Sequence, residues 1–388
     1  MEPVVVVGAG IAGVACAAEL VRAQVPVRVV DRGRRMGGRL ASRRLDDRPV
    51  DLGASYLTAT QDGDFAKVVD RWRTRGLAFP WTDTFVALDA SAGGADGRPS
   101  AEVKTGPVRW GATGGLRSLV EALAGTAGVT VEEGAVSSVT ATADGLDVDG
   151  ATAPAVVLAM PDEQAARLLG EGLVRHREQL TRPSEPILAL AAWWGARTWD
   201  GVVAPGPFHG AFVNGDDHLS WIADDGRRRG DDAPVLVAHS TPALAAANLE
   251  DPQAAGPAML AALQRLLRIE DDPAGTYVQR WSVARPTGER DDPYLLTESG
   301  LGVCGDGWGG PPKVETAWTS GRDLGRALAA RAGRPRPAGP RVRPRVRVRV
   351  PASCNAVLLR LVQRRDAAPD EVTQRYSGGW VRRGGGSG

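Results

Sequence analysis

Val4, Val5, Val6 and Val7 run straight into Gly8-Ala9-Gly10-Ile11-Ala12-Gly13 and an alanine-rich segment, and a second valine run, Val27-Arg28-Val29-Val30, ends at Asp31. A β-branched run, G-x-G-x-x-G, a helix former, a second strand and an acid, in that order, specify a dinucleotide-binding βαβ unit. Gly8 permits the tight turn out of the first strand, Gly10 lets a pyrophosphate approach the backbone, and Gly13 lets helix and sheet pack closely. The pyrophosphate would rest on free amides at the helix N-terminus, around Ile11 and Ala12. Asp31 stands where a carboxylate accepts the ribose hydroxyls of an adenosine. The unit commits the chain to an α/β fold with a parallel sheet.

At 388 residues the chain is too long for one core and is expected to form two domains and an extension. Its glycines and prolines are numerous but not periodic, which excludes collagen-like and repeat architectures. Cys16, Cys304 and Cys354 have no metal-ligand spacing and fit a reducing compartment, and no metal is expected. Residues 3–18 resemble a leader core, but no basic region precedes them and Glu19 and Arg22 follow directly, so secretion is rejected. No other segment has the roughly 18 uninterrupted apolar residues of a membrane span. The expectation is a soluble, cytoplasmic protein that does not engage membranes.

The net charge of +1 conceals an asymmetry: 13 arginines from Arg334 onward make the tail basic, and the rest is acidic. Arg-Pro and Val-Arg alternation cannot bury a core, so 334–388 reads as a disordered tail. No aromatic residue interleaves the arginine run, which argues against nucleic-acid binding.

Between these ends, residues 63–76 read as an amphipathic helix carrying Phe65, Val68, Val69 and Trp72, and residues 89–107 as an exposed turn. Residues 114–123 read as a helix, and 155–160 as a buried strand stopped by Pro161. From about 164 to 294, Trp193, Trp194, Trp199, Trp221 and Trp281 alternate with apolar runs, as expected of an antiparallel sheet with one helix over 258–268. Leu301 to Asp306 supplies a last strand and Val314 to Ala330 a closing helix.

Nicotinamide and flavin enzymes share the opening motif, so the choice rests on two other places. Gly37-Gly38-Arg39 follows the ribose acid, where an arginine can reach back to a pyrophosphate with paired hydrogen bonds. Gly305-Asp306 ends a strand, and Val314-Glu315 opens a helix. The acid can bind a ribityl hydroxyl, and the helix N-terminus can face the flavin edge that becomes negative on reduction. An extended FAD needs such a distant half-site; a simple nicotinamide dehydrogenase does not.

Met36-Gly37-Gly38-Arg39, Asp51-Leu52-Gly53-Ala54-Ser55-Tyr56-Leu57-Thr58, Phe212-Val213-Asn214 with Leu219-Ser220-Trp221, Gln279-Arg280-Trp281 and Cys304-Gly305-Asp306 through Val314-Glu315 resemble bacterial renalase-type flavoproteins of the amine oxidase superfamily. The resemblance covers residues 1 to about 330. It implies a glutathione-reductase-like FAD-binding Rossmann domain with a second, mixed or antiparallel-sheet substrate domain, and noncovalent FAD. The FAD-binding domain would comprise 1–58, 107–163 and 295–333; a cap segment, 59–106, and the main segment, 164–294, would form the substrate domain. The implied reaction is oxidation of 2- or 6-dihydro isomers of NAD(P)H by hydride transfer to flavin N5, with O2 as acceptor and hydrogen peroxide as product. Gly8, Gly10, Ala12, Gly13, Asp31, Arg39, Ser55, Tyr56, Asp306, Val314 and Glu315 would contact FAD, and Val136 would touch the adenine through its backbone. Arg32, Gly38 and Gly305 complete the expected cofactor-binding set.

Two departures stand out. Many amine oxidases of this superfamily hold a lysine near flavin N5, yet this chain has only Lys67, Lys104 and Lys313, and none lies on the strand expected over 187–194. Gln279 replaces the histidine that often precedes the Arg-Trp pair. Trp221, Trp281, Arg280, Asn214 and Thr58 are the pocket candidates, with Arg285 a further phosphate ligand or a partner of Asp291 or Asp292. His176, His209, His218 and His239 have no ligand or catalytic spacing and read as structural. The chemistry then belongs to the cofactor. Two alternatives stay open: an amine oxidase or desaturase, and a non-catalytic flavin protein acting through its tail on nucleic acid or an anionic surface.

Overall fold

A computed structural model describes residues 2–92, 99–143 and 145–333. The tail expected over 334–388, with Cys354, and the middle of the turn expected over 89–107 lie outside the described residues.

The valine run does what its β-branching favours: Val4–Val7 is the inner strand of a six-stranded sheet. Its neighbours run in the order Leu295–Leu296, Leu301–Val303, Val156–Leu158, Val4–Val7, Val27–Asp31 and Val131–Glu133, all parallel except the first. Alternation sends Val4 and Val6 to a core shared with the helices Ile11–Arg22, Leu116–Ala127 and Val314–Ala332. Val5 and Val7 face the other way, with Leu158 and Val303, towards a small antiparallel sheet contributing Val139, Leu146 and Val148. The first and last helices approach very closely. A Cβ on Gly321 would stand 1.9 Å from the Ala12 carbonyl oxygen, so only glycine allows this crossing. That contact brings the N-terminus of the closing helix beside the glycine loop.

The second sheet has seven strands, ordered Gly275–Pro286, Ser184–Trp193, Val235–Ser240, Leu219–Asp224, Gly210–Asn214, Ala78–Asp89 and Ser100–Ala112. It is mixed, since Gly210–Asn214 runs parallel to Ala78–Asp89. Residues 100–107, expected within an exposed turn, are strand: they pair antiparallel with Ala78–Asp89 in a long hairpin. Their polar, exposed composition reflects an edge position rather than irregular backbone. The amphipathic helix is present over Asp64–Thr74, and the helix expected over 258–268 spans Gly256–Leu267. Short helices over Asp225–Arg229 and Pro242–Ala247 add to the single helix expected there.

The period of two divides this sheet cleanly. Leu188, Leu190, Leu236 and Ile222 pack on Met259, Leu263 and Leu267 of the helix Gly256–Leu267. Ala189, Ala191, Val235 and Val237 turn to the opposite face and meet Val50 and Leu52; Trp81, Phe85 and Trp221 on that face meet Tyr56. The opposite face therefore lies against the Asp51–Tyr56 loop.

Candidate active site

The glycine loop is built as its spacing requires. Gly8 has φ +106°, and a Cβ on Gly13 would stand 1.9 Å from the Gly8 carbonyl oxygen. The helix Ile11–Arg22 begins at Gly10 with no side-chain cap and no acid in its first turn, leaving its amides to a ligand. Asp31 accepts from Ala9 N at 2.6 Å and from Gly33 N at 2.7 Å, which fixes its carboxylate beside the loop. Arg32 projects outward, while Gly134 donates to the Asp31 carbonyl oxygen and leads to half-buried Val136.

Gly37 donates to the Ala9 carbonyl oxygen, and a Cβ on Gly38 would stand 3.3 Å from the Gly10 Cα, so these two glycine turns face one another. Beside them Arg39 donates to both oxygens of Asp306, at 3.0 and 2.5 Å, and to the Ala284 carbonyl oxygen at 3.0 Å. Gly305, at φ +154°, precedes that acid. Val314 opens the closing helix, whose N-cap Lys313 makes no side-chain cap bond. Glu315 instead accepts from Thr60 N and Oγ1, tying this helix start to the loop after Thr58. Ser55 Oγ is buried with no hydrogen-bond partner in the chain. An uncapped helix start, facing glycine backbones and an orphaned buried hydroxyl fit an extended dinucleotide.

A buried ionic pier holds the Asp51–Tyr56 loop from beneath. Arg228, fully buried, donates to the carbonyl oxygens of Asp51 and Ser55, each at 2.9 Å, and to Asp225 Oδ1 at 2.5 Å. Arg229 donates to Asp51 Oδ2 at 2.9 Å and to the Ala112 carbonyl oxygen at 2.7 Å. Asp51 also accepts from Ser42 Oγ and from Leu116 N, at the start of an otherwise uncapped helix. Burial pushes the Asp225 carboxyl up, but the charges of Arg229, Arg228 and Arg48 outweigh it and hold the group well below the usual carboxylate range.

Above this loop the sheet presents an aromatic wall. The Tyr56 ring lies 6.4 Å from Trp81, 5.4 Å from Phe85 and 5.8 Å from Trp221, measured between centroids. The guanidinium of Arg109 sits 4.3 Å over the Phe85 ring. Burial raises the Tyr56 phenol above its ordinary value, against the charge and hydrogen bond of Arg109. His239 pairs in register with Ala189 on one side and Trp221 on the other. Its Nε2 is buried and unpartnered, and desolvation, aided by Arg228 and Arg285, lowers its pKa to about 3.

Residues 77–328 match the family described as "Flavin containing amine oxidoreductase", and residues 6–72 match "NAD(P)-binding Rossmann-like domain". The chain belongs to the flavin containing amine oxidoreductase family. Its cofactor is FAD. A Mycobacterium tuberculosis relative, "Putative flavin-containing monoamine oxidase AofH", is 41% identical over 81 residues, 21% of this chain; the match spans only 16% of that relative's length. Cyclohexylamine oxidase from Brevibacterium oxydans IH-35A superposes with TM-score 0.67 at 15% identity, covering 86% of this chain and 100% of that one. A redesigned putrescine oxidase gives 0.65 at 15%, covering 85% and 99%. At this identity the structures share the fold: a Rossmann-like FAD-binding part with a further mixed sheet.

Of the pocket candidates expected from the sequence, Trp221 and Trp281 reach the loop. Trp281 Nε1 donates to the Leu52 carbonyl oxygen at 2.7 Å, and its ring lies 3.3 Å from where a Gly53 Cβ would stand. Half-buried Thr58 follows Leu57, which bridges to Trp110. Arg280 and Asn214 do not join them. Arg280 alternates to the opposite side of its strand and donates to the Leu249 carbonyl oxygen, while Asn214 donates to Leu88 O at 3.3 Å near the strand's far end. Arg285 pairs with Glu185, rather than with Asp291 or Asp292. Among the described residues no group of three or more metal-ligating side chains could hold an ion, and no helix is long and apolar enough to cross a membrane.

Arg109 and Arg228 are not expected from the sequence, and His239 reads there only as structural. In the edge strand, alternation points the wrong way: apolar Val108 is 43% exposed and charged Arg109 only 7%. Register shifts opposite Thr82 displace the pattern, and Arg109 Nη1 donates to the carbonyl oxygen of Asp83 in that irregular turn. The three consecutive arginines, Arg227 to Arg229, look like a solvated charge run in sequence. The only signal against that was the flanking Asp224-Asp225 pair, whose Asp224 caps the short helix by accepting from Arg227 N.

Proposed function

We propose that the chain is an FAD-dependent oxidase of small amines. The observation that carries this reading is the aromatic wall of Tyr56, Trp81, Phe85 and Trp221 placed over the loop that the arginine pier clamps. Gly8, Gly10, Ala12 and Gly13 would hold the pyrophosphate, Asp31 the adenosine ribose with Val136 near the adenine, and Arg39 and Asp306 the middle of the cofactor. Arg32, Gly38 and Gly305 would line that path, with Ser55 and Tyr56 beside the flavin ring and the Val314-Glu315 helix start at its pyrimidine edge. The cofactor would be noncovalent. The segments 59–106 and 164–294 would together act as the substrate domain.

FAD, when bound, would supply the acceptor for the hydride, a proton with its electron pair, lost from the substrate carbon. The overall balance is amine, O2 and water giving a carbonyl compound, ammonia and hydrogen peroxide. The aromatic wall binds the substrate's apolar part and excludes water. Trp281 buttresses Gly53 through its bond to Leu52. The lysines among the described residues are all exposed, with Lys67 paired to Asp64 and Lys104 to Glu102, so no ammonium side chain lines the wall. Buried Arg109 disfavours a protonated amine beside it and keeps more of the bound substrate in the neutral form that donates hydride. The buried free thiols Cys16 and Cys304 suit a cytoplasmic location.

Anaerobic stopped-flow of the FAD-loaded protein tests the reading. A panel of primary amines should bleach the oxidised flavin, and air should restore it with release of peroxide. Bleaching by dihydronicotinamide dinucleotides alone would overturn amine oxidation in favour of the renalase-type substrate.

A further inference from the structure

Arg109 differs from the other deeply buried arginines. Arg228 is paired with Asp225, and Arg229 with Asp51 and Asp225. Arg182 has no carboxylate, yet three backbone carbonyls, of Thr287, Gly288 and Gly307, accept from it. Arg109, 7% exposed, makes no ion pair among the described residues; its partners are the Asp83 carbonyl oxygen, the Phe85 ring face and the Tyr56 phenol. A guanidinium carries five N–H donors, and a buried cation without a counter-charge is held at a penalty of several kcal/mol.

Its surroundings have a surplus of donors. Trp81 Nε1 and Trp221 Nε1, both in the same aromatic wall, are buried and have no acceptor in the chain. No carboxylate side chain lies within ion-pair distance of Arg109 among the described residues, because Asp224 is committed to Arg197 and Trp199, and Asp225 to the arginine pier. A lone cation and indole N–H groups call for a ligand rich in acceptors.

We propose that Arg109, facing Tyr56, is a specificity-determining residue that binds a carboxylate on the substrate, so that the amine oxidised is an amino acid. This rests on the amine-oxidation reading above. A planar guanidinium on one aromatic face matches the geometry and single charge of a carboxylate, whereas a phosphate dianion would keep an unbalanced charge in an apolar wall. The amino group then lies over the rings beside the loop Asp51–Tyr56.

The test uses two ligand pairs on the FAD-loaded, full-length protein. L-Phenylalanine and 2-phenylethylamine differ only in the carboxylate. The amino acid should show an apparent Kd for flavin reduction about 10- to 100-fold lower, as expected for one charge-assisted contact. Benzoate and benzamide, which cannot be oxidised, should differ in the same direction when titrated by flavin absorbance and tryptophan fluorescence. Arg109→Gln should abolish both preferences, and Arg109→Lys should restore part of them. Equal or better reduction by 2-phenylethylamine, with benzoate no tighter than benzamide in the unaltered protein, would overturn the proposal even if both variants failed to fold. If neither amine reduces the flavin, the oxidase reading fails, and the benzoate and benzamide titration alone decides whether Arg109 binds a carboxylate.

Discussion

The glycine loop gathers most of its working parts from one short stretch: Gly8, Gly13, Asp31 and Gly38 are brought together by neighbouring strand, helix and turn. The aromatic wall gathers Tyr56 from a loop, Trp81 and Phe85 from one strand, and Arg109 and Trp221 from two others, so it is assembled from segments far apart in the chain. The loop is an arrangement of backbone, fixed by steric limits that only glycine meets. The wall is an arrangement of side chains, fixed by which face of a seven-stranded sheet each residue takes. Changes in the loop should therefore alter cofactor binding, and changes in the wall should alter substrate selection.

The hardest way to break this division is Gly13→Val, whose added carbons would collide with the Gly8 carbonyl oxygen. The variant should purify without flavin colour and lose FAD affinity by more than about 100-fold. Retained colour would show that the loop is not the cofactor anchor. Arg39→Ala comes next: it removes paired bonds to Asp306 and the bond to Ala284, and should weaken FAD by about 10- to 100-fold in an ultrafiltration assay while the amine preference order is kept.

Trp221→Ala should do the converse. Loss of a buried ring from the wall should raise the amine KM by about tenfold and leave the FAD dissociation constant within about twofold. If it releases FAD as readily as Arg39→Ala, the two regions are one energetic unit. The smallest expected effect is on stability against pH. Unfolded, His239 takes a proton near its ordinary 6.5; folded, only near 3, so between these values the unfolded chain binds more protons and stability falls with falling pH. His239→Gln should flatten that slope in thermal melts, and the further loss below the usual carboxylate range, where Asp225 becomes protonated, should persist.

The opening motif, the strand over 156–158, the helix Gly256–Leu267 and the acid at Asp306 were legible because each is written as a local pattern: a period, a glycine spacing, a strand ending in a charge. The expected turn over 89–107 failed in its second part because an edge strand is polar on both faces, and polarity alone does not separate it from a loop. Arg280 and Trp281 are adjacent in sequence, yet only Trp281 faces the loop, since consecutive residues of a strand take opposite sides.

By itself the sequence determined that this chain holds a dinucleotide and that its cofactor is a flavin, because the steric demands of the glycine turns and the charge placed at strand ends are properties of short segments. Tertiary structure alone decided what stands against the Asp51–Tyr56 loop. The burial of Arg109 and the place of His239 beside Trp221 follow from sheet register, and the clamping of the Asp51–Tyr56 loop by Arg228 joins residues 173 apart in the chain. No local pattern encodes them, because the free energy of a buried charge is set by what packs around it after the chain has folded.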